Sequence, residues 1–120
     1  MQGHLFAGIA VGDFDRAVAW YERLFGEPET FRAHDAEYVW TLAENRSVYV
    51  LRKPGSAGHG MVTVMLDDLE ALDELVAAAS TRGIEPETVE TYDDGVRKVV
   101  YRDPDGNEVG FGGLPADAPG

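Results

Sequence analysis

Asp13-Phe14-Asp15-Arg16-Ala17-Val18-Ala19-Trp20-Tyr21, followed by Gly26 and Pro28-Glu29-Thr30, returns in outline as Asp68-Leu69-Glu70, followed by Gly83 and Pro86-Glu87-Thr88. The offsets are 55 for the aspartates, 57 for the glycines and 58 for the Pro-Glu-Thr triplets. Three landmarks in one order with so little drift mark an internal repeat. Each also has a local meaning. Asp13 is a good helix N-cap; Phe14, Ala17, Val18, Tyr21, Leu24 and Phe25 follow at helical spacing, and Gly26 closes the run. The second helix is expected to begin at Asp67-Asp68, where Asp67 and Glu70 have the spacing of a capping box. It sets Leu69, Leu72, Leu75, Val76 and Ala79 on one face and ends at Gly83.

Around these helices the sequence reads as strands. Residues 5–11 are small and apolar, residues 37–42 alternate Tyr38, Trp40 and Leu42 against Glu37, Val39 and Thr41, and residues 47–52 are Ser-Val-Tyr-Val-Leu-Arg. The pattern resumes at 61–66 and continues at 88–91, 96–101 and 108–111. Lys53-Pro54-Gly55-Ser56-Ala57-Gly58 is turn chemistry. The fold class expected is therefore α+β, with βαβββ twice: module one over 4–52, a linker over 53–59 and module two over 60–112. Together they make one domain over 1–112, and 113–120 form a mobile tail. Each half is near the lower limit for independent stability. Each helix has one apolar stripe to lay on its sheet, so the other sheet face stays open. Two halves side by side would give a concave, curled sheet with a central groove and the helices outside.

Composition narrows the chemistry. The chain has 120 residues, 44% of them hydrophobic and 27% charged, and a formal net charge of −12. That field repels a phosphate backbone or an anionic membrane and favours cationic small molecules. Zero cysteines exclude a disulfide framework, a Cys-ligated metal and a thiol nucleophile. No apolar run is long enough to span a membrane, and Met1-Gln2-Gly3-His4 lacks the features of a signal peptide, so the expected location is cytoplasmic.

The repeat, with Phe14-Asp15-Arg16-Ala17-Val18-Ala19-Trp20-Tyr21 in the first half and Arg102-Asp103-Pro104-Asp105-Gly106-Asn107 in the second, resembles the vicinal oxygen chelate superfamily. That group includes glyoxalase I, extradiol dioxygenases, fosfomycin-resistance enzymes and bleomycin-resistance proteins. The resemblance covers residues 4 to 112. It implies divalent-metal ligands at Phe6, Met61, Gly110 and a position near Val50 or Leu51, and none of these residues supplies imidazole or carboxylate. The chain is thus closest in character to the metal-free binding proteins of the group. The resemblance implies a cofactor-free homodimer, with ligand grooves where subunits meet, that sequesters a cationic or aromatic natural product such as an antibiotic.

The vacated positions leave Phe6, Met61 and Gly110 on the inner face, flanked by Tyr38, Trp40, Tyr49, Tyr101 and Phe111; this is the expected ligand-binding set. Which face of the 37–42 strand lines the groove stays open. A displaced metal site is the alternative: His4, His59 and Glu108 each lie two residues before a vacated position, hence on the same strand face. It would make the protein a metal-dependent lyase, isomerase or dioxygenase. A shift of two residues moves each group by about 6.6 Å along its strand, which argues against reconvergence. His34 falls in a short polar turn. No serine is paired with a histidine in sequence, so no nucleophile–base arrangement is expected, and a metal-independent enzyme would need a carboxylate base that the sequence does not single out.

Overall fold

The structure, a computed structural model, describes residues 1–34 and 36–116. The order is β1 (Leu5–Val11), α1 (Phe14–Phe25), β2 (Glu29–His34), β3 (Glu37–Ala43), β4 (Arg46–Arg52), then β5 (Met61–Leu66), α2 (Leu69–Thr81), β6 (Thr88–Thr91), β7 (Arg97–Arg102) and β8 (Glu108–Gly113). A 3₁₀ turn at Pro54–Ser56 sits in the expected linker. The strands form two four-stranded sheets, ordered β1-β4-β3-β2 and β5-β8-β7-β6. In both, the first strand runs parallel to the last and the other pairings are antiparallel. The fold is α+β, two βαβββ modules with one helix each, and the sheets curl without closing.

The repeat is repeated physics. Asp13 and Asp68 both cap their helices, accepting from the backbone N–H of Arg16 and Ala71. Gly26 and Gly83 both hold positive φ, 78° and 86°, where a side chain would be strained. Two local expectations need correction. Asp68, not Asp67, is the cap of α2, so the Asp67/Glu70 capping box does not form. Residues 33 and 34 belong to β2 rather than to a polar turn. That strand is a sheet edge and much of it is exposed, so its sequence lacks the alternation a half-buried strand would show. Gly113, at the start of the expected tail, closes β8, and residues 117–120 lie outside the described residues.

The two helix-bearing faces share one core. Ile9, Val11, Val48, Val50 and Trp40 of the first sheet join Val99, Tyr101, Val109 and Phe111 of the second, with Tyr21 and Leu24 of α1 and Leu72 of α2. Phe25 of α1 meets Phe111 across the module boundary, ring centroids 6.4 Å apart. Arg82, at the end of α2, donates to the Arg23 and Leu24 carbonyls at the end of α1. The halves are therefore joined through their helix sides. β1 and β5 each remain the edge of their own sheet, so one chain does not merge the halves into a single concave sheet.

Candidate ligand-binding face

The hub of the module boundary is the turn Asp103-Pro104-Asp105-Gly106-Asn107. Gly106 (φ 96°) makes the reversal possible. Asn107, fully buried, uses its whole amide: Oδ1 accepts from Gly58 N (3.1 Å) and Gly60 N (2.7 Å), while Nδ2 donates to Ala10 O (2.9 Å) and Asp103 Oδ2 (2.8 Å). Asp103, also buried, accepts the Tyr21 hydroxyl at 2.8 Å, and Asp105 accepts Gly12 N at 3.1 Å. Burial, then the Asp103 carboxylate, push the Tyr21 phenol well above its ordinary value, so it stays a donor. This turn, which the sequence also explains as a tight reversal, ties module two to β1, α1 and the linker. Its carboxylates are occupied in that task.

Strand alternation and the contacts divide the sheet residues between two faces. Tyr38, Trp40, Tyr101 and Phe111 lie on the helix side. Trp40 has no exposed surface and sits among Tyr21, Phe25 and Tyr38, with centroids 5.6, 5.8 and 4.9 Å away. Tyr101 and Phe111 are buried against one another at 6.0 Å. Trp40, Tyr101 and Phe111 thus lie in the shared core, on the face opposite Phe6 and Met61. Tyr38 is half-buried beside α1, its hydroxyl 3.3 Å from Thr30 Oγ1, and it borders a hollow of about 620 Å³ with Ala19, Glu22, Gly26 and Arg82. That hollow is also on the helix side.

The opposite, open face carries the rest of the expected set. Phe6 is half exposed, stacked on His4 (4.3 Å) and edge-on to Tyr49 (6.5 Å). Tyr49 lies across Gly8, its register partner on β1: a Cβ built at Gly8 would come within 2.5 Å of the phenol ring. In module two the open face offers Met61 and Met65, both largely exposed, with Thr63 between them. Met65 lies over Gly112 just as Tyr49 lies over Gly8. Gly110 faces the same side beneath Lys98 and Thr63.

The displaced metal set does not assemble within the chain. His4 Nε2 is 2.6 Å from Ser47 Oγ, and Glu108 accepts from Arg102 at 3.3 Å. Among the described residues, no three His, Asp or Glu side chains converge as a metal shell would require. One pairing was missed by sequence reasoning. Ser47, buried on β4, sits between His4 and Thr41 Oγ1 (3.1 Å), so a serine does meet a histidine. The β1–β4 register, which sets Phe6 opposite Ser47, brings them together over 43 positions of sequence.

These features define a two-module βαβββ protein whose open sheet faces carry exposed aromatic and thioether side chains. The chain belongs to the glyoxalase/bleomycin resistance protein/dioxygenase superfamily, whose family model matches residues 2–111. It is 49% identical to a glyoxalase/bleomycin resistance protein from Catenulispora acidiphila DSM 44928, over 95% of this chain and 100% of that one, with a TM-score of 0.87. It shares the fold of a bleomycin-binding protein solved with bleomycin (20% identity, 93% and 98% covered, TM-score 0.72). The same holds for a lactoylglutathione lyase from Agrobacterium tumefaciens (20%, 93% and 93%, TM-score 0.76). No curated protein matches the chain.

Proposed function

We propose that this protein is a cytoplasmic, metal-independent binder of small aromatic molecules, a drug-sequestering type rather than an enzyme. The carrying observation is the makeup of the open faces. Phe6, Tyr49, Met61 and Met65 supply stacking and polarizable apolar surface, Phe6 and Met61 at positions where metal-dependent relatives, on the resemblance, would carry ligands. The bleomycin-binding relative supports small-molecule binding as the use of this fold. The net charge of −12 favours a guest with cationic character.

The binding unit in this reading is a homodimer. β1 and β5 are sheet edges, and Leu5, Phe6, Met61 and Met65 expose apolar surface on or beside them. Such edges are rarely left uncovered, and a second copy that sets its module two against module one would enclose both open faces in one groove. A thermal-shift panel of polyaromatic natural products, read together with sedimentation velocity, tests both points. Stabilisation by several degrees, with the compound recovered unchanged from a dimer, is expected. Chemical conversion of the compound would overturn the binder reading, and a monomer at tens of micromolar would overturn the dimer.

A further inference from the structure

The open face of module two carries a cation that the protein's own carboxylates leave unused. Arg32, Arg46, Arg52 and Arg97 occupy strand positions with helix-side parity, leaving Lys98 and Arg102 of β7 on the open side. Arg102 is fully engaged: Nε meets Glu87 at 3.1 Å, Nη2 meets Glu108 at 3.3 Å, and Nη1 donates to Gly106 O at 3.2 Å. Lys98, among the described residues, makes neither an ion pair nor a hydrogen bond through its side chain. Its cross-strand neighbour Glu90 instead accepts the Tyr92 hydroxyl at 3.0 Å.

The Lys98 stem does not simply extend into solvent. It lies back across β8, with Cε 3.0 Å from where a Gly110 Cβ would stand, and Thr63 Oγ1 lies 3.4 Å from the same point on the other side. Gly110 is buried beneath them. The absence of a side chain there lets the end of the Lys98 stem and the Thr63 hydroxyl flank one patch of sheet, beside the exposed side chains of Met61 and Met65. We propose that this patch receives an anionic oxygen, a carboxylate, on the ligand, with the ligand's flat apolar body over the methionines. The inference rests on the aromatic-binder reading above and replaces its cationic guest with one that carries a carboxylate. The net charge of −12 opposes an anionic ligand at long range. At physiological ionic strength the Debye length is about 8 Å, so a group touching Lys98 responds to Lys98 first.

The test titrates the purified full-length protein by calorimetry with anthraquinone-2-carboxylate, its methyl ester and 2-(aminomethyl)anthraquinone. The expected order is acid tightest. In Lys98→Met, which keeps an apolar stem over Gly110, the acid should bind about tenfold more weakly. The ester should change by less than about twofold, because it never drew on the charge. Equal affinity of acid and ester in the wild type, or equal weakening of both in Lys98→Met, would overturn the assignment while leaving small-molecule binding in place. Binding of the amine and ester without the acid would do the same. No binding by any of the three overturns both the carboxylate patch and the aromatic-binder reading.

Discussion

Asn107→Ala should be among the most damaging polar substitutions in this protein. The carboxamide makes four hydrogen bonds from a fully buried position, and its partners come from β1, the linker and its own turn. Truncation strands Gly58 N, Gly60 N and Ala10 O at a boundary that water only partly reaches, and it removes one donor from the buried Asp103. Neutral bonds of this kind contribute about 1 kcal/mol each, and the bond to the carboxylate about 1.5–3 kcal/mol. Water entering the space would recover part of this, so a net loss of about 3–4 kcal/mol is expected. Against a total stability of about 5–15 kcal/mol for a domain, that is a large fraction. Urea unfolding followed by circular dichroism reads it as a lower midpoint with an unchanged slope. Asn107→Asp is the companion. It keeps the acceptor for the two glycine amides but loses the donor and sets a second carboxylate against Asp103. It should therefore be as damaging as the alanine variant at pH 7. An Asn107→Ala protein within about 1 kcal/mol of wild type would refute the claim that this amide joins the modules.

The other predictions concern the core, the backbone and the alkaline limb. Trp40→Ala should destabilise by about 3–5 kcal/mol, as loss of a fully buried aromatic does, so any loss of binding would follow unfolding; a folded variant of normal stability would return Trp40 to the ligand face. Gly58→Ala places a Cβ at φ 91° and 2.7 Å from the Asp105 carbonyl oxygen, so a loss of about 1–3 kcal/mol is expected by the same denaturation assay. Tyr21 is neutral in the fold well past the ordinary phenol value of 10.0, so the folded state holds more protons than the unfolded one above that pH. Its stabilisation is complete below about pH 10 and falls as pH rises beyond it. Tyr21→Phe should lose about 1–2 kcal/mol at pH 7 and show a shallower decline above pH 10; an unchanged alkaline slope would count against the Tyr21–Asp103 bond.

Much of the fold was legible because the signals were local. A cap aspartate, a run at helical spacing and a closing glycine act within a dozen residues, and they occur twice. The inner-face placement of Phe6, Met61 and Gly110 came from the family resemblance, with Tyr49 only a flanking candidate. The burial of Trp40, Tyr101 and Phe111 was not legible, because period-two alternation separates a strand's faces without saying which one meets the helix. A usable hint did exist. Ile9, Val11, Val48 and Val50 share one parity of β1 and β4, while the other mixes Phe6, Tyr49 and Leu51 with Gly8, Ala10 and Ser47, and the uninterrupted β-branched row is the one that a helix covers. No local signal reports the His4–Ser47 pair or the path of Lys98 over Gly110, since both depend on register between strands far apart in sequence.

The sequence by itself determined two βαβββ halves, their helices with caps and the tight Asp103–Asn107 turn. Backbone conformation and short-range hydrogen bonding dictate those features. Tertiary structure alone decided that the halves join through their helix sides, that the Asn107 amide locks the joint, and that β1 and β5 stay at the edges of two separate sheets. These outcomes depend on which apolar surfaces can be buried together, and only the packed chain resolves that competition.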